Sequence, residues 1–198
     1  MIRKASVDAK AFSTALDQVS KVLRKSSIPV LSEVLVAISG GQCTLTATDI
    51  ETWLFQKIPA RGDDLSFVFR KTKDVAKACR LFDGELELEF SDTGEGKYRS
   101  LTLCMRCGGR AVEFEAMAAE DYPVCAPIKA KASFTVNAAA LLKRAELVGY
   151  AAGKPASTER ATCGNVQFSG KYVFALDGTR LACDTDESLI APRPFMTY

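Results

Sequence analysis

The sequence predicts an α+β fold assembled from repeated units, each a helix followed by short strands. Three observations carry that prediction. Apolar residues recur at helical spacing in three places, each behind a capping residue; runs of strand period follow each helix; and the pattern restarts beyond a proline-containing joint with its register kept.

The first unit opens on Asp8, a candidate N-cap, followed by the apolar stripe Phe12, Leu16, Val19 and Leu23. Pro29 is expected to end this helix. The β-like runs Val30 to Ile38 and Cys43 to Ala47 flank Gly40-Gly41, a hairpin signal, and Glu51 to Ile58 supplies a further strand. Pro59 through Asp64 (PARGDD) reads as a linker between two halves of a domain. Leu65 to Phe69 is then a strand, Thr72 a candidate N-cap, and Val75, Cys79 and Phe82 the buried stripe of a second helix terminated by Gly84. Three strands are expected next: Glu85 to Phe90, Arg99 to Met105 and Ala111 to Ala116. In the first of them Glu85, Glu87 and Glu89 alternate with Leu86, Leu88 and Phe90, so one face is wet and the other apolar. Residues 118–132 (AAEDYPVCAPIKAKA) hold two prolines and little periodicity and are expected to contain a domain boundary. The domains are therefore 1–126, with halves at about 1–60 and 65–117, and 127–198.

Beyond that joint the opening recurs. Ala5-Ser6-Val7-Asp8 corresponds to Phe134-Thr135-Val136-Asn137, ahead of a third helix with the stripe Leu141, Ala145 and Val148. The hairpin corresponds to Val166 to Phe168 and Tyr172 to Ala175, and Thr48-Asp49 to Leu176-Asp177. The two caps are 129 residues apart and the two turn acids 128. A fixed offset across cap, stripe, hairpin and acid is far harder to produce by chance than any one match.

Composition sets bounds on function. The chain has 198 residues, 47% of them hydrophobic, an ordinary globular balance. It shows no long apolar run and no signal-peptide profile, so it is expected to be cytoplasmic and to have no membrane partner. Seven scattered cysteines, an odd number, suit free thiols. The net charge of +2 says little, but its distribution says more. Lys73, Lys77 and Arg80 lie at i, i+4 and i+7, on the wet face of the second helix. Lys10 and Lys21 lie off the apolar stripe of the first helix, Arg24 and Lys25 just past its end, and Lys143 and Arg144 on the third. The acids gather on strands and loops instead. Basic helix faces suit a phosphate backbone, although a charged outer face is also what any soluble helix needs.

Other constellations are weaker. Cys104-Met105-Arg106-Cys107 could be a dithiol or half of a zinc site, yet the chain has no histidine and no second close cysteine pair. Asp49, Glu51 and Asp177 close strands where turns belong, with no nucleophile–base pair or phosphate loop beside them. No catalytic residue, metal or cofactor is expected. Trp53, Phe55, Tyr98 and Tyr172 are expected in strands, as core or sheet-face residues.

The segment Ile28-Pro29-Val30-Leu31-Ser32-Glu33-Val34-Leu35-Val36, followed by Leu45-Thr46-Ala47-Thr48-Asp49-Ile50-Glu51, resembles the first domain of the bacterial DNA polymerase III beta subunit, the beta sliding clamp family. Ala119-Glu120-Asp121-Tyr122-Pro123 and Ala175-Leu176-Asp177-Gly178-Thr179-Arg180-Leu181-Ala182 are similar to later stretches of that family, in the same order. The resemblance implies a DNA clamp fold of βαβββ halves, antiparallel sheets outside and helices lining an inner face. It implies a non-catalytic processivity factor around double-stranded DNA, with the polymerase III catalytic subunit and the clamp loader as partners. It places Lys73 at a channel-facing cation and Arg24 or Lys25 on a DNA-contacting loop; Lys77, Arg80, Lys143 and Arg144 are added from geometry. It also implies a peptide-binding pocket, matched here by Cys163, Leu176, Gly178, Thr179, Arg180 and Leu181, with Leu176 and Thr179 departing from the family's usual threonine and histidine. Against that pattern the chain holds one domain and the first half of a second; at full length a homo-oligomer is expected. The alternatives are a clamp-like protein-interaction module without encirclement, and a thiol oxidoreductase using Cys104 and Cys107.

Overall fold

Alternation and capping build the elements seen in the computed structural model, which describes residues 1–94, 96–127, 133–153 and 161–197. The chain divides into two compact units, Met1–Ala126 and Pro127–Tyr198.

In the first unit β1 (Ile2–Asp8) leads into α1 (Ala9–Val19), where the Asp8 carboxylate accepts the Ala11 N–H at 2.8 Å. The helix buries Ala9, Phe12, Ala15, Leu16 and Val19, the stripe its spacing dictates. Each large side chain so buried contributes roughly 1.5–3 kcal/mol. Then come β2 (Leu35–Ser39), β3 (Gln42–Thr48), β4 (Trp53–Gly62), β5 (Leu65–Phe69), α2 (Thr72–Cys79), β6 (Glu85–Thr93), β7 (Ser100–Cys107) and β8 (Arg110–Met117). The β2–β3 turn places Gly40 and Gly41 at φ +56° and +77°, the left-handed pair that a two-residue hairpin turn of matching twist requires.

All ladders are antiparallel and the eight strands close into a barrel in the order β1-β4-β3-β2-β5-β8-β7-β6. Its two halves exchange their first strands. β1 pairs with β6 of the other half and closes against β4; β5 pairs with β2 of the other half and closes against β8. The halves therefore follow one βαβββ plan related by a pseudo-twofold, and α1 packs beside α2. Phe12 of α1 meets Phe69 of β5 edge-on at 6.4 Å, joining the halves through the core.

In the second unit Asn137 caps α3 (Ala138–Gly149), accepting the Ala140 N–H at 3.1 Å. β9 (Val166–Gly170), β10 (Tyr172–Leu176), β11 (Leu181–Thr185) and β12 (Ala191–Thr197) form one sheet in the order β11-β10-β9-β12. That order repeats β4-β3-β2-β5 of the first unit strand for strand. Of the five positions that α1 buries, α3 buries only the last, at Val148.

Several local expectations change. α1 stops at Val19, well before Pro29, which instead opens a 3-10 turn over Pro29–Ser32; the strand expected from Val30 begins at Leu35. Pro59 to Gly62 are not linker but the end of β4. β4 changes partners there, from β3 (Gln42↔Pro59) to β1 (Val7↔Ala60), and the missing proline N–H falls where the β1 ladder has not yet begun. Thr72 is the first helical residue rather than the cap. The Glu33 carboxylate accepts its N–H from a distant segment, and its hydroxyl accepts the Val34 N–H. α2 ends at Cys79, and Gly84 leads into β6 instead of closing the helix. Tyr98 lies exposed in a 3-10 turn, not in a strand. Phe134–Val136, counterpart of β1, forms no strand. Residues 128–132 of the expected joint lie outside the described residues.

The repeat is most literal at the turn after β3 and β10. Asp49 N–H donates to Thr52 O and Asp177 N–H to Arg180 O; each carboxylate accepts the N–H three residues on. The next position has φ +94° at Gly178 and +78° at Ile50. A β-branched residue is strained there, by about 1–3 kcal/mol. Ile50 is 59% exposed, so little burial offsets that strain. Ile50→Gly is accordingly expected to raise stability by about 1 kcal/mol, read as a higher midpoint in urea; an unchanged or lower midpoint contradicts the strain.

Candidate functional site

Two surfaces gather the residues that the sequence singled out. The first is a cleft of about 550 Å³ where the segment after α1 meets the start of α2. Arg24 and Lys25 line it from one side, Lys71, Lys73 and Lys77 from the other. Local hydrogen bonds fix both walls. Ser32 Oγ donates to Arg24 O and accepts the Ser26 N–H, folding the Arg24–Lys25 segment back, while the Glu33 and Val34 bonds to Thr72 fix where α2 begins.

Five cations thus face one cleft, against Glu33 and Asp74. Glu33 is engaged by the Thr72 N–H, and Asp74 pairs with Lys77 at 3.3 Å on the exposed helix surface, a contact of little strength. Lys71 escaped the sequence reading: with Thr72 taken as the cap it fell outside the helix, yet it occupies the cap position itself.

Not every predicted cation joins them. Arg80 sits past the end of α2 and pairs with Asp17 of α1 at 3.1 Å. Arg144, on α3, is engaged within its own unit. Its guanidinium is bound by Asp186 and Asp184 beyond β10, half-buried, so its charge is already balanced. Asp186 is in turn held down to about 2 by the Ser188 hydroxyl and N–H and by Arg144. Lys143 stays exposed on α3.

The second surface is a pocket of about 430 Å³ in the second unit, lined by Phe174, Leu176, Gly178, Thr179, Arg180, Leu181 and Cys183. Five of the six residues expected there line it. Cys163 does not: it is buried in the turn before β9, where its carbonyl accepts the Gly153 N–H. Phe174 and Cys183 were missed, although strand period signals both, since each lies two residues from a lining residue on β10 or β11. Asp177 shapes the rim. The Thr179 and Arg180 N–H groups, then their side chains, hold its carboxyl well below the usual carboxylate range. Arg180 Nε donates to the same carboxylate at 2.8 Å, on a side chain that stays largely exposed.

The thiol alternative fails on geometry. Cys104 and Cys107 are three apart on β7, so their side chains leave opposite faces of the sheet, one half-exposed and the other buried. Among the described residues no cluster of His, Cys, Asp or Glu could hold a metal ion. Trp53 and Phe55 stack on the sheet face at 6.2 Å. Among the described residues no helix is long and apolar enough to cross a membrane.

Comparison with known proteins agrees with this geometry. Residues 4–126 match the family model described as DNA polymerase III beta subunit, N-terminal domain. Over 78 residues, 37% of the chain, it is 32% identical to a beta sliding clamp of Pseudomonas putida, covering 21% of that protein. Among solved structures it resembles the Pseudomonas aeruginosa sliding clamp with a TM-score of 0.77 at 20% identity, covering 98% of this chain and 53% of the other. A C. crescentus beta sliding clamp gives a TM-score of 0.80 at 20% identity, covering 99% of this chain and 54% of the other. At such identity these likenesses speak for the fold. The chain spans about half the length of those structures.

Proposed function

From the premise that the chain belongs to the DNA polymerase III beta subunit family, we propose that it serves as a DNA sliding clamp, a processivity factor that performs no chemistry and needs no cofactor. One observation carries this most directly: Arg24, Lys25, Lys71, Lys73 and Lys77, from two segments far apart in sequence, converge on one cleft. Lysines on flexible stems over a wide cleft make exchangeable phosphate contacts that carry no base information. That is what a protein needs to hold a duplex and still move along it. Arg144, held by its two aspartates, contributes little beside them; Arg80, whose pair with Asp17 is exposed and weak, and Lys143 on α3 remain available outside the cleft. Residues 1–126 form the first clamp domain and 127–198 the first half of the second. At full length the protein is a cytoplasmic, nucleoid-associated homo-oligomer. Its apolar pocket docks short segments of the polymerase III catalytic subunit and the clamp loader.

Lys73→Glu with Lys77→Glu is expected to weaken duplex binding at least tenfold at low salt and to lower the slope of log K against log salt by about 2, since each lost phosphate contact removes about 0.9. Both side chains are exposed, so the melting temperature should hold. Unchanged binding removes the cleft from the mechanism. A second reading, a clamp-like module that docks proteins without encircling DNA, draws on the pocket in the second unit. Retention on closed circular DNA that vanishes on linearisation favours the ring; equal retention on both forms favours the module.

A further inference from the structure

The sheet of the second unit repeats one half of the barrel in the first, and the first unit displays what such a half packs against. Around that barrel the strands read β4-β3-β2-β5 and then β8-β7-β6-β1, two runs of one plan, each ending on a strand borrowed from the other half. β5 pairs with β2 along its length and reaches across to β8 only at Val68 and Phe69. In the second unit β12 takes the place of β5, beside β9. The strand that joins two halves is therefore present, and its outer edge is unpaired among the described residues.

Register places the joining residues. Val68 pairs with Leu35, and Leu35 with Thr46; Met196 pairs with Gln167, and Gln167 with Phe174. Met196 and Thr197 are thus the counterparts of Val68 and Phe69, at an offset of 128 residues. Pro192 and Pro194, which have no N–H to give a ladder, come before them on β12, so the edge is open to pairing at the same end as in β5. The helix is open as well. Asp17 pairs with Arg80, which marks the side of α1 that faces α2. Ser13 lies four residues before Asp17 on that side, and its counterpart, the fifth residue of α3, is Leu142, 62% exposed. The second unit has no other α-helix among the described residues to cover it.

We infer that the second unit pairs with the second unit of another copy of this chain about a twofold axis. α3 packs on the mate's α3 through Leu142, and the end of β12 passes to the mate's sheet on its β11 side, as β5 passes to β8. Two copies then supply what the first barrel contains, since each brings four strands and one helix. The pseudo-twofold of the first unit favours a second copy as the occupant, because it joins two halves of the same plan that the second unit follows. One charge opposes the pairing. Asp17 and Arg80 are each the ninth residue from the start of their helix, and in α3 that residue is Glu146, which would meet its own copy. At an exposed rim this repulsion is weak. The contact needs neither DNA nor a partner protein and so goes beyond the proposed function.

Sedimentation velocity of the 198-residue chain should show its mass rising with concentration from 21.4 kDa toward twice that value. Leu142→Glu should weaken the association at least tenfold with an unchanged circular dichroism spectrum, since the side chain is exposed. Leu81→Glu, at a similarly exposed leucine of the first unit, should leave the association as it is. A mixture of wild type with Glu146→Arg should associate more tightly than either protein alone, because it restores the acid–arginine pair across the axis. A chain that stays monomeric at every concentration overturns the inference, as does association indifferent to Leu142→Glu or lost equally in Leu81→Glu. A mixture no tighter than its components overturns the helix-on-helix packing. DNA binding by the basic cleft is read separately, through the Lys73 and Lys77 variants, so either reading can fail without the other.

Discussion

Phe12→Ala is expected to destabilise the first unit by about 3–5 kcal/mol, enough to unfold much of the population of a domain with an ordinary stability margin. Phe12 is fully buried, its ring 6.4 Å from Phe69, which lies 5.4 Å from Phe67, itself stacked on Phe90 at 5.4 Å. This aromatic row runs from α1 of one half through β5 to β6. Truncating its first member leaves a cavity between halves that are already tied by strand exchange, so neither can collapse into the space. The third helix supplies the control. Leu141 stands at the matching place in α3 and is only partly buried, so Leu141→Ala should shift the second unit by about 1–2 kcal/mol, below the range for a fully buried leucine. Urea unfolding followed by circular dichroism reads both. Similar losses at the two positions would mean that burial does not set the difference.

The elements that could be read from the sequence are those that short-range rules determine. The caps Asp8 and Asn137, the Gly40-Gly41 hairpin and the alternation of Glu85 to Phe90 each depend on neighbours within a few residues. The repeat was legible for the same reason, because its turn acids Asp49 and Asp177 carry their signal locally. What local pattern could not give is pairing between distant segments. Pro59 looks like linker from its neighbours because its strand changes partners in mid-course, which a window around Pro59 does not contain. Thr72 looks like a cap because the group that accepts its N–H, the Glu33 carboxylate, lies 39 residues away. Arg144 looks like a free cation on its helix because the acids that bind it lie 40 and 42 residues along the chain. Of the pocket, the residues of one turn were legible; Cys163, which does not line it, belongs to a separate segment, and Phe174 and Cys183 needed the sheet register.

Tyr122 follows the 3-10 turn at Ala119–Asp121, is 4% exposed, packs with Val30, Val68 and Trp53, and donates its hydroxyl to Thr46 O and Glu33 O. Tyr122→Ala is expected to destabilise the first unit by about 3–5 kcal/mol, whereas Tyr122→Phe, losing only the hydroxyl bonds, should cost about 1 kcal/mol. The pair separates ring burial from hydrogen bonding. The hydroxyl also gives the protein an alkaline limit. Burial pushes Tyr122 up to about 12, and burial likewise pushes the thiols of Cys43 and Cys79 up to about 12. In the unfolded chain these groups ionise at about 10 and about 8.5. A raised folded value means that the folded state keeps a proton the unfolded state gives up. The stability involved is whole below the unfolded values and drains away as pH climbs toward 12. Denaturation midpoints taken from about pH 8 to about pH 11 should therefore fall, the thiols acting first and the tyrosine later. In Tyr122→Phe the fall should begin at the same pH and continue at the slope the two cysteines set, without the steepening that the wild type shows above about 10. A variant that keeps the full late decline would assign the alkaline limb to some other group. It would leave the hydroxyl's bonds to Glu33 and Thr46 as contributors to packing only.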